Sequence, residues 1–263
     1  MGSSVVTVYQ CPEYSVLYQD KPYHKYWRLH KDGREEKIPS VTKITGILDK
    51  PALLGWAAGL TARFIIDQIP DIKSGKLILT PDDAEKLYKK AKAEANRVKE
   101  EAGDYGTLIH KTVEDYVKYK YMGIGSHPKD LIPEAKKSLD SFKTLCGVLK
   151  LTRVLASEKI LYSPQYNLGG TIDLVVEANS KVEIWDLKTS SGFYPEMVMQ
   201  FSAYRDLWNE NFEEKATGIR GIRLDKKDFL PYQKEFTQFQ DIAFQKFLCL
   251  KQYHELDQLV KIS

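Results

Sequence analysis

The chain has 263 residues, of which 43% are hydrophobic and 29% charged, and its formal net charge is +3. That length can bury a full core, and no run of the sequence approaches the roughly 18 apolar residues that a membrane-spanning helix needs. The near-balance of charge excludes the strongly basic composition of a passive nucleic-acid coat, so a polyanion would have to be bound at a local site.

The amino terminus and the cysteines indicate where the protein works. The first residues lack the basic segment, apolar run and small-residue cleavage site of a signal peptide, and they are not Arg-rich like a transit peptide. The three cysteines, Cys11, Cys146 and Cys249, form no Cys-x-x-Cys pair that would indicate zinc or a redox motif. We therefore expect reduced thiols in a cytoplasmic protein that is neither secreted nor bound to a membrane.

The first part of the chain predicts strands followed by helices. Val, Tyr and Trp residues recur over positions 5–30, and a Lys-Asp-Gly turn at 31–33 follows them, which is typical of a β-hairpin. Helical spacing continues over 40–48 and 51–66. We expect one hairpin and two helices in this region.

A charged helix is predicted next. Thr80 is followed by a proline and two acidic residues, a pattern typical of an N-cap and a first helical turn, and the helical spacing runs to Glu101. Gly103 and Gly106 then predict an interruption. A second helix is expected over 107–119, where the apolar residues form one face.

Helices and strands alternate after a loop at 123–128. The periodicity predicts helices at 133–150, 195–209 and 239–260 and strands at 153–162, 170–177, 182–189 and 218–224. No internal repeat or low-complexity linker divides the sequence. We interpret residues 1–263 as a single domain, with an N-terminal hairpin and helical elaboration over 1–102 and a core over 103–263.

A β-hairpin at 169–189 carries the groups that point to chemistry. If Asn179 and Ser180 form a two-residue loop, the strands pair Ala178 with Lys181, Asp173 with Asp186 and Thr171 with Lys188. The last four side chains then lie on one face, because side chains alternate along a strand. A loop of three or four residues would instead place Asp173 diagonal to Asp186.

Opposed carboxylates repel each other in a sheet unless something neutralises them, and Mg²⁺ or Mn²⁺ suits hard oxygen ligands on rigid strands. Lys188 projects to the same side as Asp186. Phosphodiester hydrolysis needs a Lewis acid, a water of lowered pKa and a cation for the developing charge. The alternative is an exposed hairpin face whose charges are only solvated.

Asp173 followed by Asp-Leu-Lys at 186–188 resembles the core of the PD-(D/E)XK nuclease superfamily, and the continuation into Thr-Ser resembles its RecB-type branch. Three flanking segments are similar to motifs of that branch, in the same order. They are Gly-Thr-Leu-Ile-His at 106–110, Gly-Thr-Ile-Asp at 170–173 and Gln-Phe-Ser-Ala-Tyr at 200–204. The ordered combination carries the resemblance, since each motif alone is weak.

The resemblance implies a restriction-endonuclease-like α/β fold, in which a mixed central β-sheet is flanked by helices, with a helical N-terminal elaboration that grips DNA. It implies that Asp173, Asp186 and the Leu187 carbonyl bind Mg²⁺ or Mn²⁺ and that Lys188 is the catalytic lysine. It makes His110 a further ligand or phosphate contact, whereas a lone histidine beside an apolar helix face is otherwise more often a packing residue.

Four further positions are candidate accessory groups. Gln200 and Tyr204 lie one helical turn apart, where they could contact the catalytic lysine, a phosphate or a base, or form part of a half-buried helix face. Glu158, on the strand before the hairpin, is a candidate acidic group near the metal, although an isolated strand glutamate is usually solvated. The same holds for Glu114, one turn after His110.

The cysteine count separates the chain from part of this branch. Several RecB-type relatives, including the CRISPR-associated adaptation nucleases, carry an iron–sulphur cluster on four cysteines, three of which follow the core. Here only Cys249 follows it, so we expect no cluster and a closer likeness to phage-type exonucleases and the mitochondrial genome maintenance exonuclease. The lack of a transit peptide favours a bacterial or phage-infected cell.

The resemblance implies a Mg²⁺-dependent DNA exonuclease acting on free ends, with single strands as the expected substrate, in replication, recombination or repair. Aromatic and basic residues interleave over 23–28, so Trp27, Arg28 and Lys43 are candidate DNA contacts. The lysine-rich run at 86–99 fits an arch over the strand or a solvated helix face. Two alternatives stay open: a structure-selective endonuclease or nickase with the same site, and a noncatalytic DNA-binding scaffold on a nuclease fold.

Overall fold

The computed structural model describes residues 4–20, 24–48, 50–76 and 80–260. Contacts between residues define two compact units, one formed by the chain up to residue 47 together with the chain from 109 onward, and one formed by residues 48–108. The first unit joins the N-terminal strands to the predicted hairpin, whereas the sequence division at 102 grouped those strands with the helical elaboration. Tyr23, at the start of the aromatic and basic run, lies outside the described residues.

The N-terminal strands form a four-stranded antiparallel sheet with the order β1-β2-β3-β4. They are β1 (Val5–Gln10), β2 (Tyr14–Gln19), β3 (Lys25–His30) and β4 (Glu35–Ile38). The predicted turn at 31–33 joins β3 to β4, but the single predicted hairpin is in fact a meander of four strands. One face of this sheet is buried in a cluster formed by Val16, Tyr18, Tyr26, Ile38 and Tyr162.

A second sheet has five strands, which follow the chain order across the sheet. They are β5 (Leu151–Ser163), β6 (Leu168–Ala178), β7 (Lys181–Lys188), β8 (Gly218–Arg223) and β9 (Tyr232–Glu235). β7 and β8 run parallel, and the other neighbouring pairs are antiparallel. The α/β class and the mixed sheet are therefore confirmed. β9 was not predicted, because its sequence Tyr-Gln-Lys-Glu is too short and polar to show an apolar alternation.

The helices of the described residues agree broadly with the predicted ones. They are α1 (Val41–Thr45), α2 (Pro51–Lys73), α3 (Pro81–Met122), α4 (Pro133–Val148), α5 (Pro195–Asn211) and α6 (Gln240–Leu259), with a 3₁₀ turn at Thr237–Phe239. The predicted N-cap is confirmed, since the Asp83 amide donates to the Thr80 hydroxyl over 3.2 Å. Within the described ranges, none of these helices has the length and apolar character needed to span a bilayer.

The predicted interruption at Gly103 and Gly106 is wrong, because α3 continues through both glycines. A glycine inside a helix costs only about 1 kcal/mol relative to alanine. Ion pairs along the helix offset part of that cost, as where Arg97 pairs with Glu94 at 2.6 Å and also with Glu101. The cost of two isolated glycines is therefore too small to end a helix that these ion pairs stabilise.

Helix α5 packs on the five-stranded sheet and buries Tyr204 and Leu207. Two glycines of β6 permit close packing around them. A Cβ on Gly169 would lie 2.4 Å from the ring of Tyr26, and a Cβ on Gly170 would lie 2.7 Å from Leu207. These close approaches bring β3 and α5 to the same part of β6, which is where the candidate site lies.

Candidate active site

The central hairpin has the two-residue loop that its sequence predicts. Asn179 and Ser180 have φ angles of +49° and +60°, the left-handed conformations that a type I′ turn requires. The ladder between β6 and β7 runs in register from Ala178–Lys181 to Leu174–Trp185. The longer loops are thereby excluded, and Asp173 and Asp186 occupy the next position of the two strands.

Asp173 lies just beyond the last ladder pair of β6 and β7. Its Oδ2 atom accepts a hydrogen bond of 2.7 Å from the backbone N–H of Leu187. Its other oxygen, Oδ1, lies 3.7 Å from Nδ1 of His110 on α3. The carboxylate is therefore fixed through one oxygen and faces the histidine with the other.

Asp186 and Lys188 form a buried ion pair on β7. The Lys188 Nζ lies 2.5 Å from Asp186 Oδ2, and the Asp186 side chain is only 1% exposed. The other Asp186 oxygen, Oδ1, has no hydrogen-bond partner among the residues that the structure describes. Asp186 thus keeps one buried carboxylate oxygen without a partner, which is a costly arrangement unless a second cation contacts it.

Burial raises the pKa of the Asp186 carboxyl to about 7; the Lys188 ammonium opposes this rise and the Asp173 charge adds to it. Burial also acts to lower the pKa of Lys188, but the charges of Asp186 and Asp173 outweigh it, so that pKa lies above its usual value. Lys188 therefore stays cationic at neutral pH even though it is largely enclosed.

Helix α5 holds the lysine from the opposite side. The Lys188 ammonium donates to Gln200 Oε1 over 3.3 Å, and the Gln200 amide donates to the Tyr204 hydroxyl over 3.0 Å. Burial raises the pKa of Tyr204 well above its usual value, and the charges of Asp186 and Asp173 add to this rise. Among the contacts considered for these two residues, the structure shows the one with the lysine: Gln200 contacts Lys188 directly, and Tyr204 contacts Gln200.

Glu158 joins His110 and Asp173 in a group whose possible ligand atoms all lie within 4.8 Å of one another. Its two neighbours on β5 pair with the residues on either side of Asp173, so Glu158 faces Asp173 across the strands. Burial raises the pKa of Glu158 to about 8, and the nearby charges of Asp173 and Glu114 add to this rise. Glu158 is therefore part of the site and not a solvated strand residue.

Glu114 has a different environment. It forms ion pairs with Lys111, at 3.1 Å, and with Lys118, both on its own helix. Burial acts to raise the pKa of Glu114, but these two lysines lower it by more, so the net pKa lies below its usual value. Its charge is already neutralised, and it is not a member of the group that could hold a metal.

A cavity of about 210 Å³ opens onto the site, and its lining includes His110, Glu158, Asp173, Lys188, Gln200 and Tyr204. Part of its wall comes from the beginnings of β3 and α1: His24 and Tyr26 belong to the run at 23–28, whereas Ser40, Val41 and Thr42 were not predicted as site residues. The Tyr26 hydroxyl forms a hydrogen bond of 2.9 Å with Thr171 and so connects the two sheets beside the cavity. The interleaved aromatic and basic run was the sequence feature that came nearest to marking this wall.

Of the five residues predicted to contact DNA, Gln200 and Tyr204 lie at the cavity, whereas Trp27, Arg28 and Lys43 do not all share one surface. Arg28 lies on the face of β3 that packs toward the five-stranded sheet, and its side chain is 17% exposed. Its guanidinium donates over 2.8 to 3.0 Å to Glu36, Tyr162 and Asn167. The structure therefore does not support Arg28 as a DNA contact, because these donors are used within the fold. Trp27 and Lys43 instead line a groove next to the cavity.

Comparison with known proteins adds little to this geometry. No family model matches the chain, and no curated protein matches it. Among solved structures, the chain is similar to the crystal structure of SSO0001, with 14% sequence identity over 54% of this chain and 73% of that chain and a TM-score of 0.25. A TM-score this low does not establish a shared fold.

Replacing Glu158 with Gln is expected to stabilise the protein at pH 8 in the presence of chelator. The pKa of Glu158 is about 8 in the fold against 4.5 ordinarily, so the unfolded chain releases a proton that the folded chain keeps. Stability then falls as pH rises between these values. The variant lacks this loss and should gain on the order of 2 kcal/mol at pH 8, or roughly 4–8 °C in Tm. Calorimetry across this pH range measures the difference.

Glu114→Gln is the matched control for that experiment. The pKa of Glu114 is lowered, so its contribution to stability is present above the ordinary pKa and lost on acidification. Its substitution should lower Tm at pH 8 or leave it unchanged. Parallel pH profiles for the wild type and Glu158→Gln would contradict the assignment of Glu158 to the crowded acidic group.

Proposed function

We propose that this protein is a metal-dependent nuclease that hydrolyses phosphodiester bonds of DNA, as a member of the RecB-type branch of the PD-(D/E)XK superfamily with its restriction-endonuclease-like fold. One observation carries the proposal. Asp173, Asp186 and Lys188 converge at the open end of one β-hairpin, with His110 and Glu158 grouped around Asp173. Structural ion pairs do not ordinarily gather two carboxyl groups, a histidine and a lysine at one cavity.

The residues present suit a hard divalent cation such as Mg²⁺ or Mn²⁺. Asp173, Glu158 and His110 offer closely spaced donor atoms, and the buried Oδ1 atom of Asp186 lacks a hydrogen bond within the described part of the chain. We propose these four side chains as the metal-binding set, with the Leu187 carbonyl beside them. When bound, the ion would supply a Lewis acid for the phosphate and would lower the pKa of a coordinated water.

Lys188 supplies a fixed positive charge at the cavity. Asp186 and Gln200 hold its ammonium from two sides, so little reorganisation is needed when negative charge develops on a phosphate oxygen. Tyr204 in turn holds Gln200. We propose that Lys188 stabilises the transition state, and that Gln200 and Tyr204 position the lysine and do not themselves take part in proton transfer.

The expected substrate is single-stranded DNA with a free end, in cytoplasmic replication, recombination or repair. A structure-selective endonuclease or nickase would use the same groups, because the chemistry at the phosphate is identical. The noncatalytic scaffold is less favoured, since both aspartates and the lysine are present and lie in contact or close proximity. The requirement for an end is thus the property that an experiment must decide.

Linear and circular single-stranded DNA should be compared, with each linear strand labelled at its 5′ or its 3′ end. With Mg²⁺ or Mn²⁺ we expect short products from the linear strands and intact circles, and with chelator no cleavage of either. Rapid cutting of circles would reject the exonuclease and favour the endonuclease. DNA binding without cleavage under any metal condition would favour the scaffold.

A further inference from the structure

A second groove, of about 700 Å³, lies along the four-stranded sheet. His24, Tyr26 and Ser40 line both this groove and the cavity of the candidate active site. The two spaces therefore adjoin each other at these three residues. When the reacting group of a polymer lies in the cavity, the units next to it can extend along the groove.

The groove combines aromatic side chains, Trp27 among them, with several cations. Trp27 on β3 lies opposite Lys37 on β4, and Lys25 shares the face of Trp27 because side chains alternate along a strand. Lys43 on α1 and Glu35 complete the charged lining. Three lysines against one glutamate give the groove a positive balance, and an indole ring among them offers a surface on which a base can stack.

Two lysines of this groove, Lys37 and Lys43, differ from the basic residues that support the fold. Lys37 and Lys43 are exposed, and within the described ranges neither forms an ion pair. Arg28, which neighbours Trp27 in sequence, lies on the other face and uses its guanidinium inside the protein. Lys37 and Lys43 thus remain available at the groove, where a polyanion would be attracted to their positive charges.

We propose that this groove binds a single-stranded segment of the nucleic acid next to the scissile phosphate. One base stacks on Trp27, and backbone phosphates lie near Lys37 and Lys43. Stacking on a side chain requires an unpaired base, so the groove selects a single strand on this side of the cut. The inference rests on the proposed function for the identity of the neighbouring cavity and adds the determinant of strand selection.

The test measures binding of a labelled oligothymidylate and of a hairpin duplex to the full chain carrying Asp186→Asn, in chelator, by fluorescence anisotropy. Trp27→Ala should weaken binding of the single strand about tenfold, and Trp27→Phe should retain most of it because a ring remains. Lys37→Ala and Lys43→Ala should each reduce the slope of log K against log salt by about 0.7. The duplex should bind more weakly and should not respond to Trp27→Ala.

Lys31→Ala is the matched control, since it removes the same charge from the turn between β3 and β4, outside the groove. It should leave both affinity and salt slope unchanged. Unchanged affinity in Trp27→Ala, or an equal loss of slope in Lys31→Ala, would overturn the proposal. If Trp27→Ala does not fold, the Phe variant and the two lysine variants still decide the matter.

The experiment separates this inference from the proposed function. Metal-dependent cleavage by the wild type together with unaltered binding in the groove variants would reject the groove and leave the nuclease. Weakened binding in those variants without cleavage by the wild type would support the groove and reject the nuclease.

Discussion

Asp186→Asn is expected to reduce metal-dependent cleavage of single-stranded DNA at least about a hundredfold, and Lys188→Ala by a similar factor. The first substitution keeps the shape of the side chain but removes a buried negative charge from the proposed metal-binding set. The second removes the cation that Asp186 and Gln200 hold at the cavity. Single-turnover rates with saturating enzyme and Mn²⁺ measure the chemical step without product release.

The matched control for Asp186→Asn is Asp206→Asn. Asp206 lies on α5, is partly buried and pairs with Arg205 at 2.7 Å, but unlike Asp186 it does not contact Lys188, which lines the cavity. This variant should cleave at the wild-type rate. If Asp186→Asn and Asp206→Asn cut equally well, cleavage does not occur at this site.

Folding must be checked in the same variants. Asp186→Asn leaves the Lys188 ammonium buried without its counter-ion, which costs stability. Lys188→Met fills most of the same space with an apolar side chain and removes the charge. We expect this variant to fold and to remain inactive, so a loss of activity in it reports on chemistry and not on unfolding.

The convergence of Asp173, Asp186 and Lys188 could be predicted from the sequence because a two-residue loop fixes the register of a hairpin. Asn179 and Ser180 both accept left-handed backbone angles, and each residue of register changes the face of every side chain. Once the loop is taken to have two residues, the strands pair residue by residue up to the positions of Asp173 and Asp186. The two residues of the turn therefore determine which side chains meet at the centre of the site.

Glu158 could be placed only by the structure. Register shifts between Leu151 and Arg153 and between Val154 and Ala156 alter the pairing of β5 with β6, and sequence does not show which residue is extra at an irregularity of this kind. Counting along β5 therefore cannot assign a face to Glu158. Its φ angle of +49° is a further departure from a regular strand that no sequence pattern marks.

Trp27 and Arg28, which have opposite roles, show a different limit of prediction from sequence composition. Adjacent residues of one strand point to opposite faces, so the strand prediction already implied that both could not contact one bound DNA strand. The composition of the segment suggested a common role, and only the packing of Arg28 with Tyr162 and Asn167 shows which face is internal. Periodicity should take precedence over composition in such a segment.

Arg220→Ala is expected to destabilise the protein by about 3–5 kcal/mol. Arg220 on β8 donates two hydrogen bonds of 2.8 Å to the Glu183 carboxylate on β7, and both side chains are almost fully buried. Glu183 also accepts a bond of 2.7 Å from the Trp185 indole. Removing the guanidinium leaves a buried carboxylate without its counter-ion on the strand that carries Asp186. Urea denaturation measures the loss.

The control is Arg153→Ala, which removes more exposed ion pairs with Glu177, at 3.0 Å, and with Glu214 and should cost far less stability because water screens these charges. Equal losses in the two variants would contradict the assignment of a structural role to the buried pair. A double variant, Arg220→Met with Glu183→Leu, removes both charges and fills most of the space. Because an orphaned charge costs more than a replaced pair, the double variant should be more stable than Arg220→Ala. Such a recovery would attribute the loss to the unpaired carboxylate and not to the missing side-chain volume.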